Sequence, residues 1–197
     1  MIESVGVGGF FGTANRLKKN KLKKLYSPLN LKPTVLETVV KAHEYVVRKG
    51  IETQHEHCVT ICGQSGEAYP PRTDGQPNEV GWFLPPDRKG YIGVHNHPNN
   101  TPFSVRDLQA FMLAKDAKCL AAQAHSGVVY ILWREKPDTR EMSLVELHNI
   151  KDRIREHPKM ETKCEYEKSE IFANYIANYM GWKIEKGEVR NEQCNDD

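Results

Sequence analysis

The sequence predicts an α/β fold, a central mixed β-sheet flanked by helices, on three observations. The segment Val128-Val-Tyr-Ile-Leu-Trp133 is rich in β-branched and aromatic residues, and the turn Ser126-Gly127 joins it to Cys119–His125 as a hairpin. Four other stretches, 34–48, 104–115, 143–156 and 165–180, carry apolar residues at helical spacing. Among them lies a short apolar run, Tyr91, Ile92 and Val94, that reads as a buried strand. Pro98 and Pro102 break its ladder and force a turn into the next helix.

Taken in order, residues 1–32 begin with Gly6, Gly8, Gly9 and Gly12 and pass into the basic run Arg16 to Lys24. Glycine at that density disfavours regular structure, and a lysine run is ordinarily a solvated face. No aromatic interleaves the run, Tyr26 at its end apart, so nucleic acid is not the favoured partner. The expected organisation is a basic arm over 1–32, a core over 33–136, a helical extension of the same domain over 137–190, and a disordered tail over 191–197.

Val35, Leu36, Val39, Val40, His43, Val46 and Val47 give the first helix its stripe, with Pro33-Thr34 as its start and Gly50 as its stop. Residues 52–62 then read as a strand. Alternation places Glu56, Cys58, Thr60 and Cys62 on one face and His55, His57, Val59 and Ile61 on the other. A turn at Gly63–Gly66, a strand near Glu67–Tyr69, a proline- and glycine-rich loop, a strand over Glu79–Phe83 and a turn at 85–90 lead to the strand at 91–95. After Pro137 come two amphipathic helices. One has Leu144, Leu147, Ile150 and Ile154 in its stripe; the other has Ile171, Tyr175, Ile176 and Tyr179 and ends at Gly181. A short edge strand over 182–187 closes the pattern.

A chain of 197 residues can bury one substantial core, and 39% hydrophobic with 27% charged residues is ordinary for a globular protein. The net charge of +2 does not argue for a polyanionic partner. No apolar run reaches a membrane span and no signal peptide is evident, so a cytoplasmic location is expected. Five cysteines leave at least one unpaired under any scheme, which fits free thiols in a reducing compartment. The C-x3-C spacing of Cys58 and Cys62 reads as core packing rather than metal ligation.

The chemistry concentrates at 91–113. His95 and His97 lie two residues apart on a strand, so both imidazoles face the same way. Ser104 and Asp107 open the following helix. By themselves they form a capping box, Ser at the N-cap and an acid at N3. Together the two histidines and the carboxylate are three N/O ligands that leave a fourth position open, as in a catalytic zinc site. His55 and His57 form a second H-x-H, but no acid follows them at helix-opening distance, so they read as supporting or surface residues. His125, at a strand end, carries no assignment beyond a supporting or substrate contact.

His95-x-His97-Pro98 followed by Ser104-x-x-Asp107 resembles the signature of the JAMM/MPN+ (JAB-domain) zinc metalloproteases, in a prokaryotic or phage-type, RadC-related branch. Nine residues, 98–106, separate the second His from the Asp, one fewer than in the common eukaryotic pattern. The resemblance covers mainly residues 50–135. It implies a cytidine-deaminase-like three-layer fold, a Zn2+ ion on His95, His97 and Asp107, Ser104 as oxyanion donor, and an upstream glutamate as general base. Glu56 suits that last role best, with Glu52, one repeat earlier on the predicted strand, as the alternative. The implied activity is hydrolysis of an amide bond in a protein or peptide substrate, ubiquitin-like conjugates included. Two alternatives stay open: a RadC-like role in DNA transactions and a non-catalytic MPN-type interaction module. A deaminase is excluded, since it needs a C-x-x-C pair that the sequence lacks.

Overall fold

The computed structural model describes residues 18–82, 90–98, 101–136, 138 and 140–189. Helix α1 (Lys19–Leu25) leads through a 3-10 turn into the long helix α2 (Pro33–Thr53). Then come β1 (Cys58–Cys62), β2 (Tyr91–His97), α3 (Val105–Leu113), β3 (Ala117–Ala124), β4 (Val128–Trp133), α4 (Leu144–Glu156), α5 (Glu165–Met180) and β5 (Lys183–Glu188). The strands make one mixed sheet in the order β1-β2-β3-β4-β5. Only β2 and β3 run parallel, and α3 supplies the crossover that parallel neighbours need. The predicted hairpin is present as β3 and β4, and the predicted edge strand as β5 against β4.

Helices cover both faces, because the strands are apolar on both. On one face Val35, Val39, Val40 and Val46 of α2 pack on Ile61, Ile92, Val94, Ala121 and Ile131. On the other, Leu108, Phe111 and Met112 of α3, Leu147 of α4 and Phe172 and Ile176 of α5 pack on Tyr91, Leu120, Ala122 and Tyr130. The sheet is thus the middle of three layers, a generic α/β architecture. Among the described residues, no helix is long and apolar enough to cross a membrane. The four described cysteines are free thiols.

Several expectations need correction. The first helix does not stop at Gly50. It runs on to Thr53, and Gln54, with φ of 59°, ends it in the left-handed region. Glu52 therefore lies on an exposed helical turn, paired with Lys49 at 2.6 Å, rather than on a strand. The strand itself is shorter and begins at Cys58. Along its outer edge the predicted strand near Glu67–Tyr69 is reduced to one isolated bridge, Ile61 to Ala68, and a second bridge joins Cys58 to Arg72 in the predicted loop. Residues 79–82 are irregular instead of a strand, while Phe83, the 85–89 turn and the predicted disordered tail at 191–197 lie outside the described residues. On α5 the buried stripe is Phe172, Ala173, Ile176 and Ala177, while Tyr175 and Tyr179 are 49% and 47% exposed. The two alanines let the helix approach the sheet closely, and the tyrosines keep their hydroxyls in water.

The reading of 1–32 as a solvated basic arm without regular structure is also corrected for its described part. Leu22, Tyr26 and Leu29 are buried and belong to the α2-side core. Tyr26 Oη lies 2.8 Å from His43 Nε2, and the Lys18 N–H donates to Val189 O at 2.6 Å. Lys19 and Lys23 of the basic run already face Glu44 and Glu37 on α2. Leu22→Ala should therefore cost about 2–5 kcal/mol in denaturant unfolding, the range for a buried leucine truncated in a tight core. A cost near zero would restore the picture of a loose arm.

Candidate metal centre

Strand alternation splits β2 between the two layers. Ile92 and Val94 face α2, whereas Tyr91, His95 and His97 face α3. Gly93 shares that second face, and a Cβ there would lie 2.5–2.8 Å from the Trp82 indole. The missing side chain therefore lets Trp82 lie against the strand next to His95. Antiparallel pairing sets Cys58 opposite His95, so the residues just before β1 run alongside the end of β2. Glu56 reaches the histidines in this way.

Asp107 arrives from the other side, in the first turn of α3. The Ser104 capping box is complete. The Asp107 N–H donates to Ser104 Oγ at 3.1 Å and the Ser104 N–H donates to Asp107 Oδ2 at 2.7 Å. The cap and the ligand readings of this pair are therefore not rivals. The box fixes the rotamer that carries the carboxylate to the histidines.

The three side chains converge. His95 Nε2 lies 3.3 Å from Asp107 Oδ1, His97 Nε2 lies 3.3 Å from Asp107 Oδ2, and the two Nε2 atoms are 2.8 Å apart. Donors sharing one tetrahedral ion at bonds of about 2.0–2.2 Å sit roughly 3.3–3.6 Å apart, so the two His–Asp pairs are already spaced for a small dication and the two imidazoles need to part by about half an ångström. His97 Nδ1 donates to the Thr101 carbonyl at 2.8 Å. That bond turns the Nε2 lone pair towards the centre, as a metal-ligating imidazole requires. His95, His97 and Asp107 form a group that could hold a metal ion.

Glu56 stands just beside this set, with Oε1 3.8 Å from His97 Nε2. It is buried, and loss of solvent raises its carboxyl above the ordinary range, against the lowering pull of His97 and His95. Cys58, which lines the same cleft, is pushed up to about 12 by burial and then by Asp107 and Glu56. Its thiol stays protonated, which removes it as a nucleophile. The cleft holds about 200 Å³ and is lined by Glu56, Cys58, Trp82, His95, Ser104 and Asp107 among others. Arg106 and Glu79 form an ion pair in its wall.

The histidines left open by the sequence lie elsewhere. His57 packs edge-on to Tyr45 of α2 and lies 2.8 Å from Thr53 Oγ1. His125 meets Asn96, the β2 residue between His95 and His97, whose side chain leaves the opposite face of the sheet.

Burial alone would lower His97, yet its hydrogen bond to Asp107 and the charges of Asp107 and Glu56 raise it to about 9. Burial likewise opposes ionisation of Asp107, and the two histidines outweigh it and hold the carboxyl well below its usual range. That balance favours a proton on His97 at neutral pH while no cation is bound. A dication must displace that proton, so metal uptake at neutral pH should release at least one proton, and apparent affinity should fall by about tenfold per unit as pH drops below about 9. Calorimetry in buffers of different ionisation enthalpy measures the release. Uptake without release would show that the ion binds elsewhere. No family model, curated protein or solved structure matches the chain.

Proposed function

We propose that the protein is a metal-dependent amide hydrolase, a peptidase or isopeptidase resembling the JAMM/JAB metalloproteases, with zinc as its ion. The observation that carries this reading is a buried carboxylate, Glu56, set next to a His-His-Asp set without belonging to it. A purely structural site needs no such neighbour, whereas hydrolysis needs a base within reach of the attacking water.

His95, His97 and Asp107 would hold the ion, two neutral nitrogens and one carboxylate leaving room for a further ligand. When bound, the ion would supply Lewis acidity, lowering the pKa of water towards about 7 and polarising the scissile carbonyl. Glu56 accepts the proton of the attacking water and delivers it to the leaving amine. Its raised affinity for protons suits the second half of that task. Ser104 Oγ accepts from the Asp107 N–H, so its own hydroxyl proton remains available, and the residue lines the cleft. That proton is placed to donate to the oxyanion. Cys58, Trp82 and Leu120 give the cleft an apolar wall that limits water beside the reacting amide.

A cleft of about 200 Å³ would receive the residues around one scissile bond and leave the rest of a protein substrate outside. The free thiols suit a reducing compartment. Metal analysis of the purified protein together with cleavage of isopeptide-linked ubiquitin-like conjugates tests the reading. Stoichiometric zinc with cleavage is expected. Zinc-free protein that binds duplex DNA with strong salt dependence would favour the DNA-transaction alternative instead.

A further inference from the structure

Glu56 lies in the connection between Thr53, the end of α2, and Cys58, the start of β1. The residues 54–57 belong to neither element, so their backbone groups must find partners outside a regular ladder. The Glu56 N–H donates to Gln76 O at 2.9 Å on the outer side. On the inner side the Asn96 N–H donates to His57 O at 3.3 Å, and the remaining groups are met by the Asn96 side chain. Asn96 Oδ1 accepts the His57 N–H at 2.8 Å, and Asn96 Nδ2 donates to His55 O at 3.1 Å. Nδ2 also lies 3.1 Å from His125 Nε2, the acceptor for its second hydrogen. These partners fix which end of the carboxamide is oxygen, because one is an amide donor and another a carbonyl acceptor.

Asn96 is fully buried and sits between His95 and His97 on β2. Gly50 provides the seat. It lies within α2, where glycine is disfavoured by about 1 kcal/mol relative to alanine. A Cβ at Gly50 would come within 2.2 Å of Asn96 Nδ2, 2.6 Å of Asn96 Cγ and 2.6 Å of His125 Nε2. The close approach of helix to carboxamide accounts for the glycine that the sequence pattern reads as a helix stop.

We propose that Asn96 is a positioning residue for Glu56. From the sheet face opposite the ligands, its carboxamide grips the backbone on both sides of Glu56 and holds that carboxylate in register with the His95–His97 pair. The strand that presents the ligands thereby also places the base. The inference rests on Glu56 acting as proton acceptor in the proposed hydrolysis, but the clamp has a readout that needs no substrate.

Full-length Asn96→Ala, Asn96→Asp and Gly50→Ala are compared with the parent protein by circular dichroism, amide hydrogen exchange, zinc titration and hydrolysis. The His57 amide should exchange about tenfold faster in Asn96→Ala and in Gly50→Ala, the equivalent of one lost hydrogen bond. Asn96→Asp retains the acceptor and should keep most of that protection. Zinc affinity should stay close to that of the parent. Hydrolysis should fall by about 10–100-fold in Asn96→Ala, the scale of a misplaced catalytic group, and this loss should vanish in a Glu56→Gln background.

Unchanged His57 exchange in a folded Asn96→Ala or Gly50→Ala protein overturns the clamp, whatever the activity. Additive losses with Glu56→Gln overturn the link to the base, as does a folded Asn96→Ala protein that no longer binds zinc. A parent protein that hydrolyses no amide counts against the hydrolase reading alone, since His57 exchange still decides the clamp.

Discussion

Glu56→Gln is expected to lower amide hydrolysis by about 10²–10⁴-fold, or about 3–5 kcal/mol of transition-state stabilisation, with metal content unchanged. The substitution keeps size and hydrogen bonding but removes the site that accepts the proton. Metal should be retained because Glu56 lies outside the proposed ligand group of His95, His97 and Asp107, 3.8 Å from His97 Nε2. Glu52→Gln is the matched control. Its side chain is exposed on the last turn of α2 beside Lys49, so the rate should stay within experimental scatter. An active Glu56→Gln enzyme would remove the proton-acceptor role and, with it, the main support for hydrolysis.

Asp107→Asn should abolish stoichiometric zinc binding, with an affinity loss beyond the roughly 10–100-fold typical of residues that only support a ligand. The amide can replace much of the cap but supplies no negative charge against a dication and two imidazoles. Ser104→Ala separates the two jobs of the capping box. It should cost about 1 kcal/mol of stability through the lost N-cap, leave zinc bound, and slow hydrolysis through the lost hydroxyl donor. Zinc retained at full affinity by Asp107→Asn would reduce the Ser104–Asp107 pair to an ordinary helix start.

Local pattern was enough wherever one element's own chemistry decides. The periodicity of 143–156 and 165–180, the β-rich run at 128–133 and the Ser104–Asp107 box all mark elements whose bounds the structure keeps within a residue or two. The facing of His95 and His97 follows from strand alternation alone, and the coarse fold class from the mixture of periods. Glu56 was nameable only through the family resemblance, which implies an upstream glutamate and left Glu52 as the alternative, and the strand itself starts only at Cys58.

Tertiary contacts decided the rest. Gly50 reads as a helix stop in isolation, yet α2 continues through it because the glycine seats Asn96 and His125. That continuation removed Glu52 from the strand and left Glu56 beside the histidines. The lysine-rich start of the chain reads as a loose arm because its few apolar residues are scattered. Only the groove beside α2 shows that Leu22, Tyr26 and Leu29 meet on one side. In the same way Asn96 is a polar residue between two histidines until the turn of chain at 55–57 is laid beside β2. Sequence by itself determined which residues can coordinate, accept protons and form strands or helices, since these depend on side-chain chemistry and near neighbours. Which of them meet was decided by the packing of distant segments, whose contact energies have no local signature in the chain.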